Sequence, residues 1–354
     1  VTERLLVVSP VHPADDPRIR HKLIATLAGE WDVTFASRRP GPVDRTGIHW
    51  DELTGPRLVR DLRTALRLLG GRYDVASVHD PEVLPVAILA GMLGRTVVFD
   101  VHENIPAQLR TKSRLPRPLR RPLGSLAAGL LHLAERVIPL TLAEPGYQAL
   151  FKRAHPIFPN YLMPMEAAPV AADPSIGVVY LGDITPERGI EDAVRAAAAG
   201  GIPRMTLIGR CAPDFRARLE ALAAASGGCQ ITFTGFLPPG AALPIVAAAE
   251  LGISPLRDLP NYRDSLPTKV LEYLALGVPV VASDLPGTRR VIGDQPGVLL
   301  VTPGDIAVWA RALRDTRDDG ELRSRAGAAS RQVRDSYAWP ADAVRRFYAG
   351  LVAP

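Results

Sequence analysis

The sequence predicts two doubly wound α/β domains in tandem. Short β-branched apolar runs alternate with amphipathic stretches, the alternation stops once near the middle and restarts, and 354 residues suit two domains of ordinary size better than one. Apolar residues make up 47%, enough for two cores, and 22% charged residues without long polar tracts exclude a disordered chain.

In the first half, Leu5–Ser9, Asp32–Ser37, Val75–His79, Thr96–Val101 and Val137–Thr141 are predicted strands, each short and bounded by Gly, Pro or charge. Helical spacing fills the intervals at Arg18–Ala28, Arg57–Leu69, Glu82–Leu93 and Leu119–Arg136. Strand–helix alternation implies right-handed crossovers and a parallel sheet covered on both faces. The Pro-, Ala- and Met-rich stretch Tyr161–Ser175 has no period and reads as a linker. Strands then resume at Gly177–Leu181, Met205–Ile208, Ile231–Thr234, Leu251–Ser254, Val278–Ala282 and Val298–Val301. The expected division is residues 1–165 and 166–336. Two such sheets facing one another would leave a cleft outside their carboxyl edges, so chemistry is sought in loops that follow strands.

Charge is unevenly spread. The net charge is +5, but residues 1–165 hold 22 Lys+Arg against 16 Asp+Glu, while residues 166–354 hold 20 against 21. The six excess charges match Arg110, Lys112, Arg114, Arg117, Arg120 and Arg121, and an apolar stretch, Leu123 to Leu133, follows them. This pattern fits an anionic lipid or acceptor, and equally a solvated, proline-broken loop before a core helix. The basic pI of 9.4 alone does not indicate nucleic acid, because the charge is so localised. Cys211 and Cys229 form no C-x-x-C pair, which argues against a disulfide framework or zinc site. The first apolar run is too short for a signal peptide, and no run approaches the ~20 residues that span a bilayer. A cytoplasmic protein is expected, with peripheral contact at the inner membrane face left open.

Four segments carry candidate chemistry. In Asp264-Ser265-Leu266-Pro267-Thr268-Lys269-Val270-Leu271-Glu272, Pro267 suits a first helical turn, and Val270, Leu271 and Leu274 give a core face. Free N–H groups at Thr268 and the Lys269 ammonium suit a diphosphate, Asp264 a sugar hydroxyl, and Glu272 a diol such as ribose. A capped surface helix with ordinary charges has the same pattern. In Tyr180–Gly189, Gly182 permits close approach to the backbone and Arg188 can clamp phosphate. Asp100-Val101-His102-Glu103 ends an apolar strand, which turns His102 toward a cleft or toward a backbone group it caps. Val11–Lys22 follows the first strand without the G-x-G-x-x-G that a dinucleotide site needs, which disfavours a dehydrogenase; Asp16 is a candidate cap for the helix near Arg18.

The stretch "LPTKVLEYLALGVPVVASD" resembles the donor-site helix of glycosyltransferase family 4, with Asp264 and Glu272 in the places of its Glu-x7-Glu pair. "HDPEVLP" through "DVHE" and the "HP-x-DD-x-RI" opening resemble the first domain of its surface-polysaccharide branch. Phe158–Tyr161 resembles a strand-end "PN", Phe233–Leu237 the loop that holds the nucleotide base through its backbone, and Tyr337–Trp339 the start of a last helix. The resemblance implies a GT-B fold and a retaining, metal-independent transfer from a nucleoside-diphosphate sugar to a hydroxyl acceptor, without other cofactor or nucleic acid. It implies that residues 337–354 form a helix returning to the first domain. It further implies roles for His102 and Asp264 beside the transferred sugar, Arg188 and Lys269 at the diphosphate, and Gly182, Phe236, Thr268 and Glu272 around the nucleotide. The family pattern "GR…EKG" becomes Asp183 and Arg188 here, so one cation is missing locally, with Lys269 or Arg257 as its substitute. A nucleotide-sugar epimerase shares this fold and would need no acceptor.

Overall fold

The computed structural model describes residues 2–12, 14–38, 47–111, 115–165 and 170–352. The chain divides into two compact units, Val1–Met163 with Trp339–Pro354, and Pro164–Ala338. Pro13, Lys112, Arg114 and residues 166–169 of the linker lie outside the described residues.

The first unit contains a six-stranded parallel sheet: β1 (Arg4–Ser9), β2 (Asp32–Ser37), β3 (His49–Glu52), β4 (Val75–Val78), β5 (Val97–Val101) and β6 (Leu140–Leu142). Its order is β3-β2-β1-β4-β5-β6. β4 and β5 are buried at every position, as expected where helices cover both faces. The second sheet comprises β7 (Val178–Leu181), β8 (Arg204–Ile208), β9 (Gln230–Gly235), β10 (Leu251–Ser254), β11 (Val280–Ser283) and β12 (Val298–Val301), in the order β12-β11-β10-β7-β8-β9. Both sheets therefore reverse their strand order beside their first strand, between β1 and β4 and between β7 and β10. Doubly wound sheets bind ligands at that switch point, outside the carboxyl ends of the strands.

The differences from the sequence expectation are local. β3 was not predicted, because His49–Glu52 is polar and sits at a sheet edge. The strand expected at Val137–Thr141 is Leu140–Leu142, since the preceding helix runs from Arg117 to Val137 and consumes Val137. Pro122 lies inside that helix, in its second turn, where it removes the bond that an N–H there would donate to the Pro118 carbonyl. The helix expected from Arg18 opens with wide π-type turns at Ile19–Ile24, where Leu23 N–H donates to the Arg18 carbonyl. Asp16 caps it, its Oδ1 accepting from the N–H groups of Arg18 and Ile19 at 2.9 and 3.0 Å. Pro267 stands at the N-cap of the Thr268–Ala275 helix rather than inside its first turn.

The last helix, Ala341–Gly350, packs in the first unit. Trp339, Val344 and Tyr348 join the cluster of Leu5, Val7 and Phe35. Trp339 Nε1 donates to Thr26 Oγ1 at 2.9 Å, and the Tyr348 hydroxyl meets Ser77 Oγ at 2.9 Å.

Candidate functional site

Candidate residues gather at the carboxyl edge of each sheet. In the second unit, β7 ends at Leu181 and the chain turns at Gly182 with φ +127°. A Cβ there would lie 3.2 Å from Arg188 Nη1 and 3.4 Å from Lys269 Nζ. The two cations expected to meet phosphate therefore converge above one glycine backbone that must stay bare. Gly189, at φ +73°, brings the Arg188 turn against β10's end: a Cβ there would strike the Pro255 carbonyl at 1.9 Å.

Lys269 is 7% exposed. Its Nζ donates to the Tyr180 hydroxyl at 3.1 Å and lies 4.2 Å from the centroid of that ring. Burial, then the neighbouring Arg188 guanidinium, hold the Lys269 ammonium well below the usual lysine range, against the pull of Glu272 and Asp183. An ammonium so placed gains from an added anion. Tyr180 OH in turn donates to the Asp183 carbonyl at 3.0 Å. Tyr273, fully buried on the Lys269 helix, accepts from Leu181 N–H at 2.7 Å through its hydroxyl and so ties that helix to the end of β7.

Of the two substitutes named for the missing cation at position 183, Lys269 stands with Arg188 over Gly182, whereas Arg257 Nε and Nη2 bind Asp192 at 3.0 and 3.3 Å. Thr268 and Glu272 sit on the Lys269 helix and are half-buried. Asp264 lies in the loop before that helix, exposed, with Arg290 at 3.6 Å. The helix entered at Pro286 presses on this loop, since a Cβ at Gly287 would meet the Asp264 carbonyl oxygen at 2.7 Å. Phe236, just past β9, is 49% exposed and carries the Arg210 guanidinium 4.2 Å from its centroid.

In the first unit, β1, β4 and β5 deliver a polar cluster. Asp100 is buried and accepts from Arg18 Nε at 2.7 Å, Arg18 Nη2 at 2.8 Å and Thr141 Oγ1 at 2.8 Å. Burial would raise its pKa, but the Arg18 charge and hydrogen bonds prevail, and the carboxyl lies well below its ordinary range. Asp80, fully buried, accepts from Ser9 Oγ and Val11 N–H at 3.0 Å each, and from His12 Nδ1. His102 extends from the end of β5; its Nδ1 is 3.1 Å from the Asp100 carbonyl oxygen and its Nε2 3.2 Å from His12 Nε2. His79, Asp100 and His102 place ligand atoms within 4.8 Å of one another, but Arg18 occupies both Asp100 oxygens, so a cation there would have to displace a buried ion pair.

The sequence pointed separately to His102, to the "HDPEVLP" stretch that opens with His79 and Asp80, and to the Val11–Lys22 loop. The direct His12–His102 contact, the Arg18–Asp100 pair and the part of Tyr180 under Lys269 were not legible, because they join positions 82 to 90 residues apart.

The basic segment shows a mixed character. Arg120 Nε donates to the Leu115 carbonyl at 2.9 Å, whereas Arg110, Arg117 and Arg121 are exposed. Leu119, Leu126 and Leu133, seven apart on the helix, are 50%, 61% and 38% exposed. No helix among the described residues is long and apolar enough to cross a membrane.

Comparison with known proteins agrees with this architecture. Residues 175–319 match the family "Glycosyl transferases group 1". The chain is 27% identical over 335 residues to a 2-deoxystreptamine glucosyltransferase of Streptomyces kanamyceticus, covering 86% of this chain and 77% of that protein. It is 30% identical over 285 residues to a 2-deoxystreptamine N-acetyl-D-glucosaminyltransferase of Streptomyces fradiae, covering 73% and 66%. Among solved structures, sucrose-phosphate synthase of Thermosynechococcus elongatus superposes with a TM-score of 0.78 at 18% identity over 99% of both chains. Anabaena HepE in complex with UDP-glucose gives 0.74 at 15% identity over 98% of both. The matching sequence of the second half and the GT-B architecture of both halves agree: the chain is a group 1 glycosyltransferase, moving a sugar from a nucleotide sugar to an acceptor.

Proposed function

We propose that this glycosyltransferase belongs to family 4, retains anomeric configuration, needs no metal, and delivers its sugar from a nucleoside-diphosphate donor to a hydroxyl of a small polyol. The convergence of Arg188 and Lys269 over Gly182 carries this reading. Two fixed cations at a bare backbone turn suit a diphosphate and the charge that develops on it as it leaves. In the proposed front-face step, the acceptor oxygen bonds to the anomeric carbon on the side from which the diphosphate departs. The carbon–oxygen bond to phosphate breaks, and a phosphate oxygen takes the acceptor's proton. Glu272 accepts from the ribose, Thr268 N–H faces phosphate, Phe236 lies beside the base, and Asp264 and His102 contact the transferred sugar. The acceptor class follows the 2-deoxystreptamine named for two relatives.

The test is a thermal-shift screen with UDP, GDP, dTDP and ADP, then the matching sugar nucleotides. One nucleotide should stabilise the protein, by about 2.7 kcal/mol at a hundred times its Kd. Glu272→Ala should weaken that binding, Asp264→Asn should lower kcat more than affinity, and EDTA should change neither. Wild-type behaviour in Glu272→Ala, or strict dependence on a divalent ion, would remove the donor site or the metal-free step.

A second reading rests on the exposed arginines and leucines of the Arg117–Val137 helix: peripheral contact with an anionic membrane carrying a lipid-linked acceptor. Co-sedimentation with phosphatidylglycerol vesicles, lost in Arg117→Ser/Arg121→Ser, would support it. No vesicle binding by the wild type would leave the soluble polyol.

A further inference from the structure

The contacts of His12 and His102 place three protons on four ring nitrogens. The Asp100 carbonyl oxygen beside His102 Nδ1 can only accept, so that Nδ1 carries a proton. His12 Nδ1 faces the Asp80 carboxylate, which also accepts from Ser9 and Val11, so that Nδ1 carries one too. The two Nε2 atoms, 3.2 Å apart, share the third. His12 touches the Asp80 carboxylate directly, whereas the Asp100 carboxylate near His102 is already paired with Arg18, so the third proton belongs to His12, an imidazolium beside a neutral His102.

We infer that Asp80 and His12 act as a positioning pair for His102, and that His12 Nε2–H and the His102 Nε2 lone pair form a matched donor and acceptor between which one substrate hydroxyl inserts. A hydroxyl offers both a lone pair and a proton, whereas an ammonium group lacks the acceptor and an ether lacks the donor. The rings meet edge-on at 65° with centroids 4.8 Å apart, and an entering hydroxyl would part the two Nε2 atoms from their 3.2 Å contact and take over both bonds. His12 would thereby select polyhydroxylated substrates, which rests on the glycosyltransferase reading above. The surrounding charges agree. Burial opposes a charged His12, but Asp80, with Asp16 and Glu103 behind it, raises its pKa to about 9. Burial lowers His102 against the pull of Asp100, and His12, His79 and Arg18 add to the lowering.

Nitrogen-15 resonances of the histidine rings test the assignment without any ligand. At about pH 7.5 both His12 nitrogens should be protonated and His102 should be the Nδ1–H tautomer. His12 should titrate near 9, and Asp80→Asn should lower that midpoint by about a unit or more. A His12 midpoint near 6.5 in the folded wild type, or an Nε2–H His102, would overturn the inference. Turnover of UDP-glucose supplies the second arm. His12→Ala should lower kcat about tenfold or more with the UDP-glucose Kd held within about twofold, and His12→Gln, which keeps a donor, should recover part of it. The alkaline fall near 9 should vanish in His12→Gln; its persistence would assign that limb elsewhere and overturn the pairing. A wild type that ignores every sugar nucleotide would sink the transferase reading, while the resonance measurement would still decide on the pair.

Discussion

Replacing Gly182 with alanine puts the donor-site reading under its sharpest test. The added Cβ would stand 3.2 Å from Arg188 Nη1, 3.4 Å from Lys269 Nζ and 3.5 Å from Lys269 Cε. The Lys269 contacts are ordinary, but the Arg188 one is tight, and this flexible side-chain end would yield by a few tenths of an ångström, away from the turn where phosphate is proposed to lie. Losing one charge-assisted hydrogen bond there costs about 1.5–3 kcal/mol, or roughly ten- to hundredfold in nucleotide affinity. The backbone adds its own effect. At φ +127° an L-residue is strained by about 1–3 kcal/mol, which lowers Tm by roughly 2–4 °C for each kcal/mol in a domain of this size. Gly201→Ala separates the two effects, because Gly201 also has positive φ, +70°, yet nothing lies within 4 Å of its Cβ. Calorimetric binding of UDP and thermal melts on both variants form the assay. Gly201→Ala should lose stability and keep its affinity, and Gly182→Ala should lose both. Equal affinity in the two variants would show that the Arg188–Lys269 pair is not the phosphate cradle.

Lys269 is held below the usual lysine range, so a bound diphosphate that restores its ammonium draws in a proton. UDP affinity should therefore weaken as pH rises through the interval between the lowered and restored values, and titration in buffers of different ionisation enthalpy should register proton uptake. A pH-independent affinity without uptake would contradict this. Arg18→Met should cost the first unit about 3–5 kcal/mol by stranding the buried Asp100 carboxylate, and adding Asp100→Asn should recover part of it in thermal melts. The Asp100 pKa is depressed, so the pair's contribution is present above the unfolded carboxylate value of about 3.9 and is lost as pH falls through the folded one. Acid titration of wild type and double variant should show that limb only in the wild type.

The sequence by itself determined the class of fold and the helix that carries the donor motif. Buried strands such as β4, β5, β10 and β11 are short, largely apolar runs, each with a single Ser or Asp, because both faces of a parallel sheet are covered, and such runs need no partner to be recognised. The Thr268–Ala275 helix was legible for the same reason: spacing fixes its core face, and Lys269 and Glu272 follow within a single turn. β3 escaped because an edge strand can be polar, and Val137 was misassigned because an apolar residue at a helix end looks like the start of a strand. What tertiary structure alone decided was which polar groups meet. Arg257 and Lys269 were equal candidates for the missing cation, and only packing sends Arg257 to Asp192 and Lys269 to Tyr180 above Gly182. Likewise His12 and His102 stand 90 positions apart, and they touch because β1 and β5 flank β4 in one sheet. Local patterns encode periodicity and reach over a few residues. Proton states and ion pairs depend on neighbours brought together across strands, and a single chain's spacing holds no record of them.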